Sequence, residues 1–216
     1  MSQIDIHLIK GVIFDFDMTL VDSAWIGKRA CKMLEKNHGI SSSGLEIKEA
    51  FGMNFFDFCK KLSELNHNKL SPEEIAKFDL YYMQEGYREV EIKEIKLLKY
   101  LSDKNIRIGI VSHGKSENIE LVLNKHNQEI SFDFVRCASN SSKNGKDILI
   151  KEALKDWEIK KNECIYVGDH PNDIIAAKNA GVISIGISSG MHTDLELKEY
   201  NPDFLIKSLS ELKKLI

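Results

Sequence analysis

The sequence has 216 residues, with 30 lysines and arginines against 33 aspartates and glutamates, a formal net charge of −3. At 43% hydrophobic and 29% charged, it has the composition of an ordinary globular protein and is long enough to bury roughly 70% of its unfolded surface. The near balance of charge excludes a protein that holds nucleic acid or an anionic membrane through a basic excess, and no apolar run approaches the roughly 18 residues of a membrane span.

Length alone predicts one domain with room for an insertion. The N-terminal stretch carries Asp5 and lacks the basic, apolar and small-residue order of a secretory signal. The cysteines Cys31, Cys59, Cys137 and Cys164 are dispersed without a CxxC pair. They read as buried thiols, and a cytoplasmic location is the expectation.

The first strand is predicted at Val12-Ile13-Phe14. From about Ala24 to Val90 no strand follows. Ala24 to His38 reads as a helix stopped by Gly39, and Ser71-Pro72-Glu73-Glu74 is a capping box that opens a helix to about Glu89. The aromatic residues Phe51, Phe55, Phe56 and Phe58 are the expected core of this helical insertion. Helices at 92–103, 116–126, 147–156 and 172–179 then alternate with strands at Ile106 to Val111, Phe132 to Val135, Cys164 to Val167 and Val182 to Ile187. A strand at Phe204 to Ile206 and a terminal helix at 208–215 close the chain. Several strands are apolar at consecutive positions, as in a parallel sheet covered on both faces. The fold predicted is α/β: a doubly wound, mainly parallel, Rossmann-like core over 1–22 and 91–216, with an all-helical cap over 23–90.

Acidic residues gather where the strands end. Asp15 and Asp17 follow the first strand, and Gly168-Asp169-His170-Pro171-Asn172-Asp173 follows the fourth. In a parallel sheet these ends meet at one crevice. Two carboxylates ~4 Å apart repel by about 4 kcal/mol at an effective dielectric near 20, so a raised pKa, a lysine or a cation must offset them. Oxygen ligands of this kind suit Mg²⁺. Ser112-His113-Gly114, between the second strand and a helix, offers a hydroxyl and free amides to a phosphate. Lys143 lies in the polar loop ahead of the helix near Asp147 and can neutralise both a carboxylate and a phosphoryl group.

These residues resemble the four motifs of the haloacid dehalogenase-like hydrolase superfamily: Asp15-Phe16-Asp17-Met18-Thr19, Ser112, Lys143 and Gly168-Asp169-His170-Pro171-Asn172-Asp173, in family order along essentially the whole chain. The insertion after the first motif resembles the helical cap of the phosphoglycolate-phosphatase-like branch. The resemblance implies that Asp15 attacks phosphorus to form an aspartyl phosphate and that Asp17 is the general acid and base. It implies that Ser112, His113, Gly114 and Lys143 hold the phosphoryl group. Mg²⁺ would be bound by Asp15, the carbonyl of Asp17 and Asp169, with Asp173 in support. The implied partner is a small phosphate ester handled by a monomer or homodimer, with neither nucleic acid nor membrane involved.

Departures from the family pattern are specific. Met18 stands where relatives usually carry glycine, and Asn144 rather than proline follows Lys143, which leaves Lys146 as a rival for the site lysine. Asp17 argues against a dehalogenase, which lacks this carboxylate. Ala24-Trp25-Ile26-Gly27 lacks the cap histidine of phosphosugar mutases. A receiver-like signalling module would be near 120 residues and have no insertion. A non-catalytic binding homologue is the remaining alternative. Asp22 and Ser23 read as the cap of the first insertion helix. Trp25, Met53, Asn54, Tyr87 and Arg88 read as packing or hinge residues, His170 as a loop residue or one facing the leaving group, and His67, His113, His126 and His192, with no ligand spacing, as structural.

Overall fold

The computed structural model describes residues 8–45, 53, 55–138 and 145–216. The first strand, β1 (Gly11–Phe14), leads into three described helices, α1 (Ala24–His38), α2 (Phe55–Leu65) and α3 (Pro72–Tyr87). The chain then alternates through α4 (Ile95–Asp103), β2 (Arg107–Ser112), α5 (Ser116–His126), β3 (Phe134–Cys137), α6 (Lys146–Trp157), β4 (Cys164–Gly168), α7 (Pro171–Ala180), β5 (Ile183–Ile187), α8 (Asp194–Lys198) and β6 (Phe204–Ile206). The six strands form a sheet ordered β3-β2-β1-β4-β5-β6, and every described pairing is parallel.

The sheet fits its sequence. Every residue of β1, β4 and β5 is buried, whereas the edge strands β3 and β6 are partly exposed. Alternation along β1 sends Val12 and Phe14 into a core shared with Leu97, Leu98 and Leu101 of α4, while Ile13 joins Leu149, Ile150, Ala153 and Trp157 of α6 on the opposite face. Consecutive apolar residues are therefore not redundant, because each face has its own helical layer. The order reverses between β1 and β4, so the crevice at their carboxyl ends is the place where a ligand is expected.

The insertion has a separate core of Leu34, Ile40, Cys59, Leu62 and Ile75, with Phe55, Phe58, Phe78 and Tyr82 against it. Gly39 ends α1 at φ 64°, and Ser71 opens α3 with the predicted capping box, its Oγ accepting from the Glu74 amide at 3.2 Å. Phe55 and Phe58 take their predicted places, but Phe56 is 53% exposed, because it falls on the outer side of α2. Phe51 lies outside the described residues. Ser23 occupies the N-cap position of α1 without a capping bond from its side chain. The segment predicted as a terminal helix forms a 3₁₀ helix over Leu209–Lys214, and the short α8 adds a helix that its few residues gave no periodicity to reveal. No described helix is long and apolar enough to cross a membrane.

Candidate active site

β1 stops at Phe14, and the chain turns immediately. The Asp15 amide still donates to the Val167 carbonyl of β4 at 2.8 Å, which fixes Asp15 over the switch point of the sheet. Three residues later Met18 adopts φ 62°, the left-handed region that glycine takes freely. Methionine pays about 1–2 kcal/mol for that conformation, and the Lys93 ammonium, 3.4 Å from the Met18 carbonyl, braces the turn. The backbone geometry suited to glycine is thus retained without glycine. The Met18 side chain is buried and lines the cavity above the strand ends.

Asp15, Asp169 and Asp173 are all buried, and each offers a carboxylate oxygen within 4.8 Å of the others. Lys146, at the first turn of α6 and 5% exposed, sits among them, its Nζ 3.0 Å from Asp15 Oδ1 and 2.6 Å from Asp173 Oδ1. Burial works against the charged amine, but Asp15 and Asp173 outweigh it and hold the ammonium well above the ordinary lysine pKa. The predicted Lys143 lies outside the described residues. Among the described residues, its rival Lys146 is the lysine that meets the carboxylates. Burial pushes Asp15 up to about 8 even against the pull of Lys146, with Asp173, Asp169 and Asp17 adding repulsion. Burial likewise pushes Asp169 up to about 7, again with Asp173 adding to it.

The remaining contacts assign different duties to the three acids. Asp173 is used up structurally: Oδ1 meets Lys146 and the Tyr166 hydroxyl (3.2 Å), while Oδ2 accepts from the His170 amide at 3.0 Å, closing the capping box of α7. Gly168 makes this possible, since a Cβ there would collide with the Asp173 side chain. Asp169 accepts from the Thr19 hydroxyl at 3.3 Å and the Met191 amide at 2.7 Å. Asp15 takes both the Phe16 amide and Lys146 on Oδ1. No described group hydrogen-bonds its Oδ2.

Asp17 faces the same cavity but is held from the insertion. The Tyr87 hydroxyl, at the end of α3, donates to Asp17 Oδ1 at 2.5 Å. The buried Ser23 Oγ lies beside this pair and favours the charged form of both groups, without a hydrogen bond of good geometry. Burial raises the Asp17 pKa above the ordinary carboxylate value, against the pull of the Tyr87 hydrogen bond. Tyr87 is therefore more than the packing residue its sequence position suggested. Ser112 is buried at the end of β2, its Oγ accepting from the Gly114 amide at 3.1 Å, and His113 and Gly114 line the cavity beside it. Burial, helped by nearby Lys146, lowers His113 to about 4, so it is neutral near pH 7. His170 is also on the cavity wall. It caps α7 by accepting from the Asn172 amide, and its ring meets that of His192 edge-on at 4.6 Å. His126, away from the site, places its ring nitrogens 2.8 Å from a Glu91 oxygen and 3.4 Å from a Glu129 oxygen, in line with a structural role.

Together these groups bound a cavity of about 340 Å³ that reaches from the strand ends to the insertion. Its acid cluster fits a hard divalent cation: the donors are all oxygen, their charges are crowded, and Asp15 keeps one carboxylate oxygen available. Comparison with known proteins agrees with this geometry. The family model of haloacid dehalogenase-like hydrolases matches residues 12–187, a span that contains every group just described except Met191 and His192. A phosphoglycolate phosphatase of Vibrio parahaemolyticus is 28% identical, aligned over 100% of this chain and 98% of its own. A glyceraldehyde 3-phosphate phosphatase of Methanocaldococcus jannaschii is 29% identical, over 97% of each. A haloacid dehalogenase-like family hydrolase from Streptococcus pneumoniae superposes with a TM-score of 0.78 at 22% identity, over 96% of this chain and 98% of that one, and shares the fold. The strand-end acids, the parallel sheet that gathers them and the match across most of the length give one answer: this chain belongs to the haloacid dehalogenase-like hydrolase family and is an enzyme.

Proposed function

We propose that the enzyme is a Mg²⁺-dependent phosphatase that hydrolyses a small phosphate monoester through an aspartyl-phosphate intermediate. The observation that carries this reading is the state of Asp15: fully buried, with Oδ1 fixed by Lys146 and the Phe16 amide and Oδ2 left available toward the cavity. That arrangement holds a nucleophile by one oxygen and presents the other.

In the first step Asp15 Oδ2 bonds to phosphorus while the ester P–O bond breaks, and Asp17 gives its proton to the departing alkoxide. Burial shifts Asp17 upward, the direction that favours a proton donor. Asp17 then takes a proton from water, whose oxygen bonds to phosphorus as the Asp15–phosphorus bond breaks, and free Asp15 and inorganic phosphate result. Lys146, Ser112 and the Gly114 amide surround the phosphoryl oxygens. Lys146 replaces Lys143 in this assignment, because it is already paired with the nucleophile. Asp15, the Asp17 carbonyl and Asp169, with Asp173 behind them, would hold Mg²⁺, which would supply positive charge beside the phosphoryl oxygens. Phosphoryl transfer gains mostly from positioning and charge stabilisation, which these groups provide.

Residues 23–90 act as the cap over a core of 1–22 and 91–216, and the Tyr87–Asp17 hydrogen bond ties the cap to the chemistry. The four cysteines are all unpaired, which fits a reducing, cytoplasmic setting. Hydrolysis of p-nitrophenyl phosphate, assayed with and without Mg²⁺ beside Asp15→Asn, tests the proposal. Turnover that needs Mg²⁺ and disappears in the variant is expected; equal turnover in the variant overturns the nucleophile assignment.

A further inference from the structure

The end of the cavity opposite the phosphate site holds a second kind of carboxylate. Asp79, in the middle of α3, is 3% exposed and lines the cavity with Cys31, Leu45, Phe55, Phe58 and Met83. Among the described residues no hydrogen bond or ion pair reaches its carboxyl group, and burial alone raises its pKa to about 7. Lys28, Lys32 and Glu35 are on the same wall but exposed, at the rim. An unpartnered buried acid is costly. Here it faces open volume continuous with Asp15, so a single ligand can touch both.

We propose that Asp79 is the specificity residue for the leaving group, receiving a hydrogen-bond donor, a hydroxyl or a protonated amine, at the end of a short phosphate ester away from its phosphate. The inference rests on the phosphatase reading and adds the substrate class to it. A donor end gives the buried Asp79 carboxyl group the hydrogen bond that no described residue supplies. A carboxylate end would face Asp79 across largely apolar walls, where Lys28 and Lys32 are exposed and the half-buried Lys115 is held over the Phe55 ring, 4.7 Å from its centroid, so a like-charged end gains less there than a donor does. The volume of about 340 Å³ lies at the small end of ligand sites, which run from about 300 to 1,000 Å³. It therefore favours an alcohol of a few carbons.

The test compares kcat/KM of the full chain in Mg²⁺ for glycerol 3-phosphate, ethanolamine phosphate and 2-phosphoglycolate, whose far ends are hydroxyl, amine and carboxylate. At least one donor-ended ester is expected to exceed 2-phosphoglycolate by about tenfold or more. The ester that does so tells hydroxyl from amine. Asp79→Asn, nearly isosteric, should raise KM for that ester by about tenfold and narrow the preference. A preference of the unmodified enzyme for 2-phosphoglycolate overturns the inference, as does a preference unchanged within about twofold in the variant. If the variant does not fold, the substrate order of the unmodified enzyme decides alone. Failure to hydrolyse any ester, p-nitrophenyl phosphate included, overturns the phosphatase reading itself; hydrolysis of p-nitrophenyl phosphate with the wrong order overturns only the role of Asp79.

Discussion

The sheet and the helical insertion face one cavity with buried carboxylates held in opposite ways. At the strand ends, Asp15 and Asp173 share Lys146, and Asp169 is held by a hydroxyl and a main-chain amide. Lys146 answers part of their charge from within the protein, and their positions follow from the sheet. In the insertion, Asp79 has apolar neighbours and no described partner. The first arrangement is rigid and complete enough to orient a reaction. The second is incomplete, and an incomplete polar site is one that a ligand can complete. Division of labour between reaction and recognition follows from which carboxylates the fold satisfies.

Four measurements would break or sharpen that contrast. The largest effect is expected at the nucleophile: Asp15→Asn should lower kcat on p-nitrophenyl phosphate by at least about 10⁴-fold, with the residual rate insensitive to Mg²⁺. Next, Lys146→Ala should cost about 3–5 kcal/mol of unfolding free energy in denaturant titrations without metal, because Asp15 and Asp173 lose the charge that answers theirs. It should also cost about 10²–10³ in kcat. A comparable loss in Lys143→Ala with little change in Lys146→Ala would return the site lysine to position 143.

The third measurement isolates Asp79. Its pKa rises from 3.8 to about 7 on burial, so between those values the folded chain keeps a proton that the unfolded chain has released. Its contribution to stability is full below about pH 4 and is lost as pH rises through about 7. The stability difference between the unmodified enzyme and Asp79→Asn, measured in a chelator, should therefore shift against the unmodified enzyme by about 2–4 kcal/mol from pH 4 to pH 8. A difference independent of pH would mean that Asp79 is not buried as a lone acid. The smallest effect concerns the link between the regions: Tyr87→Phe removes one hydrogen bond to Asp17 and should lower kcat by about tenfold with KM changed less. An unchanged kcat would make Tyr87 a packing residue after all.

Much of this was legible in the linear chain, and the exceptions are instructive. The capping box at Ser71 and the stop at Gly39 are local devices, read correctly because only neighbouring residues build them. Asp15, Asp169, Asp173 and Ser112 lie on one cavity, as expected where the strand ends of a parallel sheet meet. Lys146 and Lys143 could not be separated by spacing, since three residues change which side of a helix start faces the crevice. Asp79 did leave a trace: it falls four residues after Ile75 on the buried side of α3, an acid in an apolar stripe. Tyr87 was marked only as a packing or hinge residue, because a residue that packs and a residue that touches the site look alike in sequence.

The sequence by itself determined the alternation of strands and helices, the helical insertion after the first strand and the acidic residues at the strand ends. These depend on period, caps and order, which are properties of short stretches. Only the tertiary structure decided that Lys146 answers Asp15 and Asp173, that Met18 keeps a left-handed turn, and that Asp17 is held by Tyr87 from seventy residues away. It also decided that Asp79 is buried with no partner among the described residues. Pairing of buried charge is a matter of distances of a few ångströms in a medium of low dielectric, and those distances exist only once the sheet and the insertion have packed together.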